Sequence, residues 1–397
     1  MTRRRRTTEP RILLIRLREI GDVVFTTPLI RAVRDRLPAA HLGFLVETAA
    51  APVVARNPCL NEVLVAPRSQ GTARLREDFA LASRLRSQHW DTVVDLQSGT
   101  RSAWLTRATR AAVRIGYDSP GRNWAYTLRV PRPARGTQHS VENQWPLIAP
   151  LDGESWTTDR RRRPTEMPLD PEATARTAAR LAEAGVGPRE RLILIHVSAG
   201  NRFRRWGEWR FAELAARLAA AAPERRIVIT SGPSDVEAAA RVRSLALLRL
   251  DPESRARIPA IFELSLSELR AAIESAALFI GGDSGPLHIA STSTAPIVGI
   301  FGPTTPQRSS PWRDPSLPFA SVDTGPLPCR PCDQRRCVPG DFRCLTGLSV
   351  AAVLAASEDL LSSPKVPGTN AGGIAPTGNP AGADRTVLRN ETPRMNL

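Results

Sequence analysis

The sequence predicts an α/β protein made of two Rossmann-like domains that face a central cleft. Short β-branched and leucine-rich runs alternate with longer helical patterns, which is how parallel strands joined by crossover helices read in a sequence. The alternation occurs twice, without a strong internal repeat, on either side of a segment carrying four successive arginines and three prolines. A length of 397 residues suffices for two separately buried cores.

In the first half, strands are expected over 11–17, 42–46, 62–65, 92–96 and 113–116, with helices over 27–36, 75–88 and 101–110. Residues 141–151 close this half, giving a first domain over 11–158. Residues 159–171 read as a linker, because proline removes helical hydrogen bonds and like charges keep a chain extended. The second domain, 172–361, restarts with a helix over 172–184. Strands at 192–197, 226–230, 278–281 and 297–301 then interleave with helices at 208–221, 235–245, 267–275 and 286–292, before a last helix near 349–361. Residues 1–10 are basic, and 362–397 are rich in Pro, Gly, Asn and Thr. Such segments bury too little apolar surface to offset their ordering entropy, so both are expected to be disordered.

Composition narrows the function classes. Hydrophobic residues make up 42% and charged residues 24%, ordinary values for a soluble globular chain. No apolar run approaches the roughly 18–20 residues that span a bilayer. The basic start is followed by an apolar stretch of only 12–15, shorter than a secretory core of about 7–15 residues, so a cytoplasmic location is expected. The net charge is +16, and Lys365 is the only lysine. Arginine makes planar two-point contacts with phosphate and carboxylate. The charge therefore permits phosphorylated substrates, an anionic membrane surface or nucleic acid, as well as a merely solvated arginine-biased surface. Nucleic acid is the least supported, since aromatic-basic interleaving and base-reading motifs are missing.

Ligands of such sheets bind beyond the carboxyl ends of the strands, and three motifs lie there. The first, Arg16-Leu-Arg-Glu-Ile-Gly-Asp22-Val-Val, follows a buried strand and opens a helix. Gly21 permits a tight turn, and Asp22 either reaches a substrate hydroxyl or caps the helix. The second runs His196-Val-Ser198 through Arg204-Arg205-Trp206 into an amphipathic helix. Ser198 and the turn amides can meet a phosphate, and Arg204 or Arg205 can neutralise a diphosphate. His196, Phe211, Leu214 and Leu218 read as core. The third is Gly281-Gly282-Asp283-Ser284-Gly285-Pro286-Leu287-His288. Proline in the first helical turn and free amides from Ser284 to His288 make an anion site at the positive helix end. Asp283 can accept sugar hydroxyls, although a generic strand–turn–helix junction reads the same way. At the end of another strand, Asp235 reads as a helix cap or ribose contact, and Glu237 as a ribose contact. No Asp-x-Asp pair occurs, so a metal-chelated diphosphate is not supported.

Together these motifs resemble glycosyltransferase family 9, the ADP-heptose:lipopolysaccharide heptosyltransferases, over roughly residues 11–361. The resemblance implies a GT-B fold and inverting transfer without a catalytic metal. It implies an ADP-sugar donor, an anionic lipid-linked glycan acceptor on the first domain, and peripheral contact with the inner face of the inner membrane. By the same resemblance Asp22 is the general base, Ser198 and Arg204 contact the nucleotide diphosphate, and Asp283, Ser284, Gly285 and His288 bind donor sugar and phosphate. Arg205 is a supporting donor contact, and Glu237 matches the ribose contact only loosely. Family members often carry lysine at the place of Arg204, so a point donor becomes a planar fork here.

Cys329, Cys332, Cys337 and Cys344 are spaced to surround one ion, while Cys59 stands apart and is expected to be buried. Disulfides do not suit a cytoplasmic chain. A structural zinc site or a set of free thiols fits, and an iron–sulfur cluster would also fit, although the spacing matches no standard ferredoxin run. Two other functions stay open on these grounds: a GT-B transferase with a different nucleotide-sugar donor, and a metal- or redox-binding module built on the cysteines.

Overall fold

The computed structural model describes residues 9–363, apart from 70, 135–137, 154–155, 157–158, 331 and 333. The disorder expected for the amino terminus falls mostly, and that for the carboxyl-terminal tail almost wholly, outside the described residues. The described residues contain two six-stranded sheets. The first holds β1 (Arg11–Ile15), β2 (His41–Glu47), β3 (Glu62–Ala66), β4 (Thr92–Asp95), β5 (Val113–Tyr117) and β6 (Leu128–Val130). The second holds β7 (Arg191–His196), β8 (Arg225–Ser231), β9 (Ile261–Glu263), β10 (Leu278–Gly282), β11 (Ile297–Ile300) and β12 (Phe319–Val322).

The strand orders are β3-β2-β1-β4-β5-β6 and β12-β11-β10-β7-β8-β9, with every pairing parallel. Counted from its own first strand, each half has the order 3-2-1-4-5-6, the doubly wound pattern. Its crevice opens where the order reverses, beside β1 and β4 in one half and beside β7 and β10 in the other. Those points fix where ligands can bind. The expected motifs sit on them: Asp22 follows β1, Ser198 follows β7 and Asp283 follows β10.

Strands β6, β9 and β12 were not expected from the sequence, and the reason is positional. All three lie at sheet edges, have three or four residues, and are only partly buried. An edge strand lacks the continuous apolar run that marks a strand covered on both faces. The central strands read clearly because they are covered: Leu13, Leu14, Ile15, Ile193, Leu194, Ile195, Phe279 and Ile280 are all fully buried.

Local chemistry sets the helix starts. Asp170 accepts hydrogen bonds from the Glu172 and Ala173 amides, with Pro171 in the first turn, and so starts the Pro171–Glu183 helix. Ser265 and Glu268 form a reciprocal capping box for Leu266–Ser275, satisfying two amides that lack helical partners.

The segment 159–171 is packed between the halves rather than loosely solvated. Thr165 Oγ1 meets Ser291 Oγ at 2.7 Å and donates to the Trp312 carbonyl at 2.7 Å. The Glu166 carboxylate holds Arg31, and its amide donates to Thr27 Oγ1 at 2.8 Å. Arg270 Nε donates to the Met167 carbonyl. A single apolar cluster then runs from Ile12 and Val24 in the first half to Leu194, Phe279 and Leu287 in the second.

Two buried histidines, His139 at this seam and His196 in the core of the second half, make the fold pH-dependent. His139 sits between Phe25 and Trp312, with ring centroids 5.2 and 4.8 Å away, and its Nε2 faces the Ser310 carbonyl at 3.0 Å. Burial pushes it down to about 3 and pushes His196 down to about 4. The unfolded chain protonates first, near the ordinary histidine value. The stabilisation is therefore complete above about pH 6.5 and is lost as pH falls toward 4 for His196 and toward 3 for His139. Urea unfolding is expected to show a free energy that drops by up to about 1.4 kcal/mol per pH unit for each of these histidines across that window. A flat profile would contradict the burial of both rings as neutral groups.

Candidate active site

The first-half contribution begins at the end of β1. Arg16 donates through Nη1 to the Leu96 carbonyl, beyond β4, at 2.7 Å, and its Nη2 pairs with Asp22 Oδ2. Asp22 lies inside the short helix Ile20–Val24, whose cap position is Glu19. Asp22 therefore does not cap the helix; its carboxylate is held by Arg16 and keeps 39% side-chain exposure. An ion pair on one oxygen fixes the orientation of a carboxylate and leaves the other oxygen for a ligand.

This helix meets the second half at very short range. A Cβ on Gly21 would stand 2.3 Å from His288 Cδ2, and one on Gly285 would stand 3.1 Å from Ile20. Gly21 leaves no room for a Cβ against the His288 ring, and Gly285 is tight against the Ile20 side chain. Phe25 packs in a tilted contact on the His288 ring at 4.3 Å between centroids. Asp22 is thereby placed beside the turn at 283–288.

On the second-half side, the Asp283 carboxylate is buried, not open to a cleft. Thr304 Oγ1 donates to Oδ2, Arg204 Nη1 lies 3.4 Å from Oδ2, and His288 Nε2 lies 3.4 Å from Oδ1. Burial alone would raise its pKa, but His288, Arg204 and Thr304 outweigh that and hold the group down to about 2. Asp283 is thus a fixed anion that organises its neighbours, and a direct contact with sugar hydroxyls is not what the geometry favours.

Arg204 also donates from Nη1 to the Asp283 carbonyl at 3.0 Å and from Nε to Gln334 Oε1 at 2.7 Å. Arg205 turns elsewhere, to Asp235 Oδ1 at 2.9 Å and the Ala199 carbonyl at 3.0 Å. Ser198 Oγ accepts the Gly232 amide at 2.8 Å, tying the ends of β7 and β8 together, and no acceptor for its O–H is found among the described residues. His196 meets Thr230 Oγ1 at 3.0 Å inside the core, as expected. Phe211, Leu214 and Leu218 are buried too.

The amides expected to be free from Ser284 to His288 are fewer than the sequence suggests. Leu287 and His288 donate back to the Ser284 carbonyl at 3.0 and 3.4 Å. Pro286 has no N–H. Among the described residues, Ser284 and Gly285 are left to face an anion at the positive end of the helix Gly285–Ala290. Glu237 is not brought to this group. Its side chain is 94% exposed and lies 3.7 Å from Arg241 on its own helix. Asp235, held between Arg205 and Ser234, is the buried carboxylate at the end of β8, and its side chain caps no helix.

Four residues of the site escaped sequence reasoning. Thr304 follows the end of β11 and was findable by the strand-end rule. Arg16 lies in the first motif, but nothing in its spacing marks it as the partner of Asp22. Gln334 and His139 reach the site from loops far along the chain, and no local pattern announces them.

The residues 79–338 match the family model described as glycosyltransferase family 9 (heptosyltransferase). The chain belongs to that family. As a family 9 glycosyltransferase it is 29% identical to lipopolysaccharide heptosyltransferase 3 of Escherichia coli over 348 residues, 86% of this chain and 97% of the relative. Its fold is similar to that of a family 9 glycosyl transferase from Veillonella parvula, with TM-score 0.73, 21% identity, and coverage of 89% of this chain and 97% of the other. It is likewise similar to E. coli ADP-heptose lps heptosyltransferase II, with TM-score 0.67, 18% identity, and coverage of 88% and 98%. Two parallel sheets in the GT-B arrangement are thus the architecture of this family 9 enzyme. No helix among its described residues is long and apolar enough to cross a membrane.

The cysteine loop departs from the zinc site that its spacing suggested. Cys329, Cys332, Cys337 and Cys344 line one cavity of about 30 Å³ together with Phe203 and Phe342. Among the described residues, however, no three His, Cys, Asp or Glu side chains stand together as a group able to hold a metal ion. Two of the sulfurs instead accept backbone amides, Cys332 from Gln334 and Cys337 from Phe342, each at 3.4 Å. Cys59 is buried, and burial raises its thiol pKa.

Gly21→Ala is expected to lower the unfolding free energy by about 1–3 kcal/mol, the usual cost of overpacking. In a Gly21→Ala, His288→Ala double variant the two losses are expected to be less than additive, because removing the ring makes room for the new methyl. Strict additivity in urea unfolding would contradict the contact.

Proposed function

We propose that the chain transfers heptose from ADP-heptose to a hydroxyl of the lipopolysaccharide inner core by a single inverting displacement. The observation that carries this reading is the contact of Gly21 with His288, which supports a site in which the half-exposed Asp22 carboxylate faces the turn bearing the Ser284 and Gly285 amides. In the proposed reaction, Asp22 takes the proton of the acceptor hydroxyl while that oxygen bonds to the anomeric carbon. The bond from that carbon to the diphosphate oxygen breaks on the opposite face, and ADP leaves with the electron pair. Arg204, the Ser284 and Gly285 amides and the Ser198 hydroxyl receive the growing negative charge, a preorganised electrostatic role. Arg16 keeps Asp22 aimed. Arg205 supports the site through Asp235 instead of by touching phosphate.

In this reading residues 11–158 take the acceptor and 172–361 the donor. Cationic side chains and helix-end amides do the work that a chelated divalent ion performs elsewhere, consistent with the lack of an Asp-x-Asp pair. A net charge of +16 suits a phosphorylated, lipid-linked acceptor at the cytoplasmic face of the inner membrane. Zinc is proposed only as a structural ligand of Cys329, Cys332, Cys337 and Cys344, and would have to draw the thiols inward. Metal analysis of protein purified without chelator tests this: one equivalent of zinc supports the site, and none removes it.

Asp22→Asn is expected to leave ADP affinity within about twofold of wild type while transfer falls at least about 100-fold, the lower range for a lost general base. Calorimetry with ADP and transfer to truncated core acceptors measure the two. Near-normal transfer by the variant would remove Asp22 from the chemistry. Faster transfer from another nucleotide sugar than from ADP-heptose would correct the donor.

A further inference from the structure

The cysteine loop touches the proposed donor site through one side chain. Gln334 Oε1 accepts hydrogen bonds from Arg204 Nε at 2.7 Å and from Asn201 Nδ2 at 3.1 Å. Asn201 and Arg204 belong to the turn that leads out of β7, about 130 residues earlier in the chain. Asn201 also accepts the Phe203 amide at 3.0 Å and so starts the 3-10 turn Arg202–Arg204. One carbonyl oxygen thus holds both the start of that turn and the guanidinium at its end.

Gln334 is itself held in place. Its φ is +59°, a left-handed conformation that costs a non-glycine residue energy and persists only where surroundings enforce it. Its amide donates to Cys332 Sγ at 3.4 Å, and the phenyl rings of Phe203 and Phe342 join turn and loop at 5.5 Å between centroids.

The consequence for Arg204 is geometric. A guanidinium can spin and swing on its long stem, and its value for a phosphate depends on presenting the right edge. Here Nε is tied to Gln334 and Nη1 to the Asp283 carbonyl. Two tethers on different nitrogens fix the plane, and no partner for Nη2 is found among the described residues. A lysine at this place would carry a point charge with no plane to fix and would need no such acceptor.

We propose that Gln334 is a positioning residue for Arg204, which locks the guanidinium plane so that Nη2 meets the diphosphate of the donor. The proposal rests on the donor reading given above. It ties the shape of the cysteine loop to diphosphate affinity, since Cys332 anchors the backbone from which Gln334 reaches.

The test is calorimetric binding of ADP and of adenosine to the full chain, with Gln334→Ala, Arg204→Lys and the double variant. Gln334→Ala is expected to weaken ADP roughly 10- to 100-fold, the scale of a lost hydrogen bond to a charged group, and to leave adenosine within about twofold. In transfer assays the change falls on KM for the donor more than on kcat. In the Arg204→Lys background the same alanine is expected to change ADP affinity less than about twofold. Equal weakening of ADP and adenosine, or an undiminished effect of the alanine in the Arg204→Lys background, would mean a general loosening of the loop and would overturn the proposal. Unchanged ADP affinity in Gln334→Ala, with normal binding by wild type, overturns it while leaving the donor reading intact. Failure of the wild type to bind ADP would instead count against the donor reading and take this inference with it.

Discussion

The close approach of two helix starts governs the rest of the structure. The Ile20–Val24 helix leaves the first sheet and the Gly285–Ala290 helix leaves the second, and they meet with Gly21 on His288 and Gly285 on Ile20. A Cβ at Gly21 would run into the His288 ring, so the ring or the helix start must shift. Tight packing transmits such a shift instead of absorbing it. Gly21, expected for its tight turn, therefore matters more for letting the His288 ring pack against it. Phe25, His139 and Trp312 form an aromatic row behind this contact, so the seam is sealed by rings that cannot collapse into a gap.

Asp283 sets the second level of organisation. A carboxylate taken out of water is costly unless its oxygens are matched by donors and cations. Thr304, Arg204 and His288 supply them. The match works in both directions: the anion also orients an arginine and an imidazole that would otherwise be mobile. Arg204 is further held by Gln334, and Arg330 of the same cysteine loop donates to the Thr304 carbonyl at 2.6 Å. The loop thereby grips two of the groups around Asp283. A site assembled before the ligand arrives loses less binding energy to ordering itself.

Much of this was legible in the sequence where burial dictates the residue type. Strands covered on both faces must be apolar, so β1, β7 and β10 were readable, as were the motifs at their ends. Edge strands such as Leu128–Val130 carry no such demand and went unseen. Candidate residues within a motif were found, but their roles were not, because a role depends on partners distant in the chain. Asp22 could equally have been a cap until Arg16 was seen on its carboxylate. Asp283 looked like an open sugar contact until Thr304 and Arg204 were seen to enclose it. Glu237 matched the family's ribose contact only loosely; its side chain is 94% exposed beside Arg241, while Asp235 is buried against Arg205. The four cysteines are close in sequence, yet among the described residues no three His, Cys, Asp or Glu side chains stand together as a metal-holding group, and Cys332 and Cys337 accept backbone amides.

The central claim is that the carboxylate of Asp22 and the diphosphate-binding turn at 283–288 address one sugar from opposite faces. A crystal structure of the chain with ADP-heptose, or a slow-reacting fluorinated analogue of it, tests this most directly. The account predicts the diphosphate on Arg204 and the Ser284 and Gly285 amides, with Asp22 across the anomeric carbon and space for one hydroxyl oxygen between them. A diphosphate bound away from those groups, or Asp22 on the same face of the sugar as the leaving oxygen, would contradict it.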